Sequence, residues 1–172
     1  MHDYQPVRFG IIGFGIRGKQ LMRAAGFPEP TWIDEQIKAH AENKQNTNYQ
    51  DYMEQEQLNI EINGVCDIFS VYSREAAIAG SNVNREGAAG KMGKEPKQYK
   101  TYLELLDAPD IDAVIIAAPD HWHAPMAIEA AKRGKHVYCE KPVSWTVPET
   151  YELVRVVKEK GIVFQLGHQG RQ

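Results

Sequence analysis

Two cysteines, Cys66 and Cys139, are all that 172 residues contain, too few for a disulfide framework. Both stand in apolar strand-like runs, where a thiol reads as a small buried hydrophobe, and no C-x-x-C pair is present to bind a metal. Long apolar stretches are missing too. The longest, residues 113–118 (AVIIAA), falls far short of the roughly 20 residues that cross a bilayer. The polar start, residues 1–8, lacks the basic-then-apolar layout of a secretory signal. No membrane partner is expected, and a cytoplasmic protein is the default, with export left open for a chain whose signal has been removed. Nor is there an excess of positive charge. Lys and Arg total 20 against 23 Asp and Glu, a formal net charge of −3, so nothing marks a face for nucleic acid.

What is present is an ordinary globular composition, 42% hydrophobic and 25% charged, sized for one domain. Residues 7–12 (VRFGII) read as a buried parallel strand, and residues 19–25 as the helix after it. A Gln-, Asn- and Glu-rich stretch at about 26–60 then opens with the breaker Pro28-Glu29-Pro30. Trp32, Ile33, Ile37 and Ala41 give part of it helical spacing, and it reads as an insertion. The second strand is 61–66, and the next helix 73–79 with Ser73 as its N-cap. Residues 97–100 suit a short edge strand and 102–106 a short helix. Next come strand 111–118, helix 125–133, strand 136–139, a helix opened by the capping box Thr146-x-x-Glu149 and running to about Lys160, and strand 162–166. Strands alternating with helices predict an α/β fold. The expected form is a doubly wound, mainly parallel six-stranded Rossmann sheet, order 3-2-1-4-5-6, with helices on both faces. All of residues 1–172 belong to that one domain in this reading.

Three clusters carry chemistry. Gly13, Gly15 and Gly18, interleaved with Phe14, Ile16 and Arg17, form G-x-G-x-x-G between a strand and a helix, the context in which that motif cradles a dinucleotide diphosphate. Asp67 closes the second strand, where a carboxylate accepts hydrogen bonds from the adenosine ribose and repels a 2′-phosphate, favouring NAD. It lies forty-nine residues after Gly18 rather than the usual count of about 20, a gap the insertion explains. Ser73 and Arg74 nearby keep NADP possible, and a solvated strand-end carboxylate is the plainer reading of Asp67. Asp120-His121-Trp122-His123 follows the fourth strand. Its His-x-His pair has no acidic or cysteine partner at metal spacing, so hydrogen bonding or helix capping is expected and no metal. Trp122 either packs on the cofactor or covers the sheet edge. Glu140-Lys141-Pro142 ends the fifth strand. A lysine held there out of water could bond a substrate hydroxyl and take its proton, though the triplet read alone is only a polar strand end.

Residues 111–142, IDAVIIAAPDHWHAPMAIEAAKRGKHVYCEKP, resemble the Gfo/Idh/MocA oxidoreductases, and the glycine fingerprint, Asp67 and the closing FQLGHQGR fit the same pattern in order. The resemblance covers the chain outside the insertion. It implies NAD, or NADP, and reversible oxidation of a ring hydroxyl of a sugar, glycoside or cyclitol. By that pattern Lys141 contacts the reacting hydroxyl, Glu140 the nicotinamide ribose, Ala118 and Pro119 with His123 the middle of the cofactor, and Gln169 and Arg171 the substrate pocket. It also implies a second α/β domain, not among these residues, that supplies further substrate contacts and builds a homo-oligomer. The 172 residues are therefore expected to bind cofactor with little or no turnover. Two other readings stay open: a family member that uses bound NAD transiently to open a glycosidic bond, and an NAD-sensing domain without chemistry. No tyrosine is followed four residues later by lysine, so the short-chain dehydrogenase dyad is missing.

Overall fold

Neighbouring residues along the central strands feed two different cores, because successive side chains on a strand point to opposite faces. Ile11, Val65 and Ile115 pack with Met22 and Ala76, while Ile12, Cys66, Val114 and Ile116 pack with Leu105, Ala130 and Leu153. The computed structural model describes residues 5–82 and 93–168. Its strands are β1 (Val7–Ile12), β2 (Ile60–Cys66), β3 (Lys97–Tyr99), β4 (Ala113–Ile116), β5 (His136–Glu140) and β6 (Phe164–Gly167). They pair in the order β3-β2-β1-β4-β5-β6, every pair parallel. The helices are α1 (Ile16–Ala24), α2 (Pro30–Glu42), α3 (Asn48–Glu54), α4 (Ser70–Ser81), α5 (Tyr102–Leu106), α6 (His123–Lys132) and α7 (Val147–Lys160). Helices α1 and α4 cover one face, α5, α6 and α7 the other. This is the doubly wound Rossmann sheet expected from the alternation. The strand order reverses between β1 and β4, which places a crevice outside their carboxyl ends.

Local chemistry moved some boundaries. Helix α1 begins at Ile16, three residues earlier than expected, so Gly18 lies inside its first turn. Helix α4 begins at Ser70, and Ser73 is not its cap. The Asp67 carboxylate accepts the Phe69 N–H at 2.8 Å, an Asx-type turn that starts the helix sooner. Ser73 is buried within it and donates from Oγ to Gln98 at 3.2 Å. The expected box closing on Thr146 and Glu149 is present in full, and a second, not expected, joins Thr101 to Glu104 at the start of α5.

The insertion holds two helices, α2 and α3, between the end of α1 and the start of β2, hence at the sheet edge opposite the crevice. Its Pro-Glu-Pro opening is anchored. Glu29 is buried and takes both forks of Arg23, at 2.8 and 2.9 Å. Trp32 lies under the same guanidinium, 5.1 Å from it, and meets Tyr52 of α3 edge-on. Among the described residues no helix is long and apolar enough to cross a membrane.

At that same edge, Arg8 of β1 grips Asp112 just before β4, with Nε and one terminal nitrogen at 2.8 and 2.6 Å. The hydrogen bond from Arg8 holds the Asp112 carboxyl down to about 2 from 3.8. A carboxyl lowered by folding stabilises above its unfolded value and loses that contribution as pH falls towards its folded one. Both side chains are 37% exposed, so the effect is modest. Asp112→Asn is expected to lower Tm at neutral pH and to flatten the loss of Tm between pH 3.8 and about 2, followed by thermal melts across that range.

Candidate functional site

The three glycines of the first turn do different work. Gly13 has φ +90°, and a Cβ there would come within 2.7 Å of the Ala117 carbonyl at the end of β4. At Gly18 a Cβ would collide with the Gly13 carbonyl oxygen. Both must be glycine for the chain to turn and for α1 to lie against it. Around Gly15, by contrast, a Cβ would meet nothing within 4 Å. The turn therefore leaves a hollow at this glycine. Gly15 also N-caps α1 without a side-chain bond, and the first turn holds no acidic residue. Its free N–H groups and the positive end of the helix dipole thus face the hollow. This is the shape and charge that a dinucleotide diphosphate needs. Ile16 beside it is 83% exposed. Phe14 points the other way: its ring is fully buried in the core, and its N–H is held by Asp67 at 2.7 Å.

Asp67 thus joins the glycine loop directly, across fifty-three residues of sequence. One carboxylate oxygen takes Phe14 and the other Phe69, which fixes the group at the carboxyl end of β2. Each oxygen has a second acceptor site for a ribose hydroxyl. Arg74 lies on α4 with its side chain exposed. Asp67→Ser is expected to improve NADP binding relative to NAD by about tenfold, the order of one lost charge repulsion. Paired titrations with the two reduced cofactors check this, and an unchanged ratio would contradict it.

The second part of the site lies where β4 and β5 end. A crevice of ≈360 Å³ is lined by Arg17, Ala117, Ala118, Asp120, His123, Glu140, Lys141 and Pro142. It brings together the fingerprint arginine, the loop after β4 and the Glu-Lys-Pro triplet. Glu140 is buried, 4% exposed, and its Oε1 accepts from Arg17 Nε at 2.8 Å and from Tyr138 Oη at 3.4 Å. Its Oε2 accepts the Lys141 backbone N–H at 3.3 Å. Gly167 of β6 closes the back, since a Cβ there would come 2.7 Å from Glu140 Oε1 and 2.6 Å from Tyr138 Oη. The Lys141 side chain is exposed at the mouth, so the described residues do not supply the desolvation expected of a lysine held out of water.

His123 is 2% exposed, with Nδ1 2.6 Å from the Pro142 carbonyl and Nε2 2.8 Å from the Ala118 carbonyl. It ties the loop after β4 to the Glu-Lys-Pro turn. A direct bond from its ring to a cofactor would require one of these contacts to break. His121, by contrast, is exposed beside Asp120, so the two histidines diverge. Trp122 does not line the crevice but leans on Tyr102 of α5, 6.2 Å between ring centroids. Gln169 and Arg171 lie outside the described residues. Sequence reading missed the Arg17–Glu140 pair, the Gly167 contact and the bridging task of His123. The only signal for the first was a base in the fingerprint and an acid beside the lysine.

Comparison with known proteins agrees with this fold. A family model described as an oxidoreductase family with an NAD-binding Rossmann fold matches residues 7–168. A levoglucosan dehydrogenase of Pseudarthrobacter phenanthrenivorans is 40% identical over 85 residues, 49% of this chain and 22% of that protein. A glycosyl hydrolase family 109 protein of Shewanella sp. (strain MR-4) is 39% identical over 95 residues, 55% of this chain and 20% of that protein. The match thus spans about a fifth of the length of these curated relatives. Among solved structures, myo-inositol 2-dehydrogenase from Lactobacillus plantarum superposes with a TM-score of 0.66 at 23% identity, over 96% of this chain and 37% of that one.

Proposed function

The chain belongs to the Gfo/Idh/MocA oxidoreductase family, with its NAD-binding Rossmann fold, and from that premise we propose that it is the cofactor half of an enzyme that moves hydride between NAD and a ring hydroxyl of a sugar, glycoside or cyclitol. One observation carries this reading: the open space at Gly15 lies at the carboxyl end of β1, as the buried Glu140 and the exposed Lys141 lie at that of β5, and Arg17 of the glycine turn bonds Glu140. The levoglucosan dehydrogenase supports the substrate class.

In this proposal the first-turn N–H groups of Ile16, Arg17 and Gly18 hold the diphosphate, and Asp67 holds the adenosine ribose. Ala118 and Pro119 line the middle of the cofactor, and His123 fixes the spacing between their loop and Pro142. Glu140 takes the nicotinamide ribose. When bound, the cofactor would supply hydride exchange at the carbinol carbon. Lys141 acts at the other end of that bond. Its Nζ hydrogen-bonds the substrate oxygen and takes the hydroxyl proton as the carbonyl forms, returning it in reduction. Gln169 and Arg171 serve the substrate side. A substrate domain in a longer chain would keep water from Lys141, so turnover belongs to that longer chain and cofactor binding to these residues.

The family 109 relative favours a second reading, in which oxidation is transient and the bond broken is glycosidic. One experiment separates the two. A longer chain carrying a substrate domain is incubated with NAD and a panel of free sugars, cyclitols and aryl glycosides. Steady NADH formation supports the dehydrogenase. Release of the aryl group with no net NADH supports the glycosidase, and neither product with any substrate contradicts both.

A further inference from the structure

The Arg17 side chain is placed to do more than its backbone. Its Nε donates to Glu140 at 2.8 Å and one terminal nitrogen to Gln20 at 2.9 Å, a residue one turn further along α1. Those two contacts hold the guanidinium at the crevice that Glu140 and Lys141 also line. A guanidinium has five N–H donors in a fixed fork, so others remain for an anion beside the loop. The side chain is still 35% exposed and lines the crevice, whereas the carboxylate that aims it is only 5% exposed. Glu140 in turn accepts the Lys141 N–H. A hydrogen-bonded path thus runs from Arg17, two residues after Gly15, through Glu140 to the backbone of the lysine.

We propose that Arg17 is a bridging residue: its guanidinium binds the cofactor diphosphate with one edge while its Nε holds Glu140, so that phosphate binding sets the position of the Glu-Lys-Pro turn. This rests on the cofactor reading above and deepens it. Backbone amides and a helix end attract any phosphate, but only a planar, forked cation can serve an anion and a buried carboxylate together. Lysine at this position would reach one or the other. The bridge also accounts for a buried carboxylate next to a site for an anionic ligand, an arrangement that is unfavourable unless a cation stands between the two charges.

ADP provides the test, because it carries the diphosphate but has no second ribose and no nicotinamide to touch Glu140 or Lys141. The isotopically labelled 172-residue chain is titrated with ADP and with AMP, and the backbone amide signals of Gly15, Gly18 and Lys141 are followed by NMR. In the parent chain ADP is expected to shift all three with one dissociation constant. In Arg17→Met, ADP affinity falls about tenfold or more, the scale of one hydrogen bond to a charged group. The Lys141 shift disappears, while the glycine signals still move at higher ADP. Arg17→Lys keeps the charge and guards against a folding defect: it is expected to regain part of the ADP affinity but not the Lys141 response. A Lys141 signal that responds to ADP equally in all three proteins overturns the bridge, as does unchanged ADP affinity in Arg17→Met. Failure of ADP to bind the parent chain sinks the cofactor reading itself, and the bridge with it.

Discussion

Replacing Gly15 with valine is expected to weaken NADH binding at least a hundredfold while lowering the melting temperature by only about 2–4 °C, the cost of a poorer N-cap, which is the signature of a residue whose empty side is functional. The backbone at Gly15 is extended, with φ −68° and ψ −164°, so an L-residue is not strained there. A Cβ would meet no protein atom within 4 Å, so the fold gives no reason for glycine. Two γ-methyl groups would instead stand where the diphosphate must approach the first-turn N–H groups. Losing two hydrogen bonds to a charged group, each about 1.5–3 kcal/mol, accounts for a hundredfold or more. Gly18→Ala should do the reverse. Its Cβ collides with the Gly13 carbonyl oxygen, so the chain should lose about 1–3 kcal/mol of stability, the usual range for overpacking. Calorimetric titration and thermal melts of the two variants side by side check both expectations. Equal NADH affinity in Gly15→Val and the parent would remove the diphosphate from this turn.

Lys141→Met, made in a longer chain that turns over, is expected to lower kcat by about a hundred- to ten-thousandfold, the range for losing a positioned general acid–base group. NADH affinity should change less than about threefold, since a loss of one charge-assisted contact is already tenfold. The separation is expected because Lys141 meets Glu140 through its backbone N–H, which methionine retains, while its side chain is exposed. Stopped-flow hydride transfer and NADH titration on the same preparation measure the two quantities. Equal falls in both would show that the lysine holds the cofactor rather than the substrate hydroxyl.

Much of this was legible in the residues. Strand β1 and helix α5 fall on their expected bounds, with VRFGII ending in a glycine turn; the Thr101 cap that starts α5 was not expected. Alternation with right-handed crossovers predicted a parallel doubly wound sheet, and the match of six strands to the dinucleotide-binding arrangement supplied the order. Pairings distant in sequence were not legible. Arg17 and Glu140 are separated by 123 positions, and neither has a local pattern that announces the other. Ser73 looked like a cap because it precedes a helical stretch, but the Asp67 carboxylate had already turned the chain at Phe69. For His123 the residues suggested hydrogen bonding or capping without naming partners, and only the resemblance placed it at the cofactor. Only the folded positions of the Ala118 and Pro142 carbonyls show its ring nitrogens engaged.

A crystal structure of the chain with NADH tests the central claim most directly. The two phosphates are expected to rest over Gly15 at the start of α1, with the nicotinamide end lying between Glu140 and the Lys141 amine. Density for the nucleotide at any other edge of the sheet would contradict it, and so would a nicotinamide directed away from Lys141.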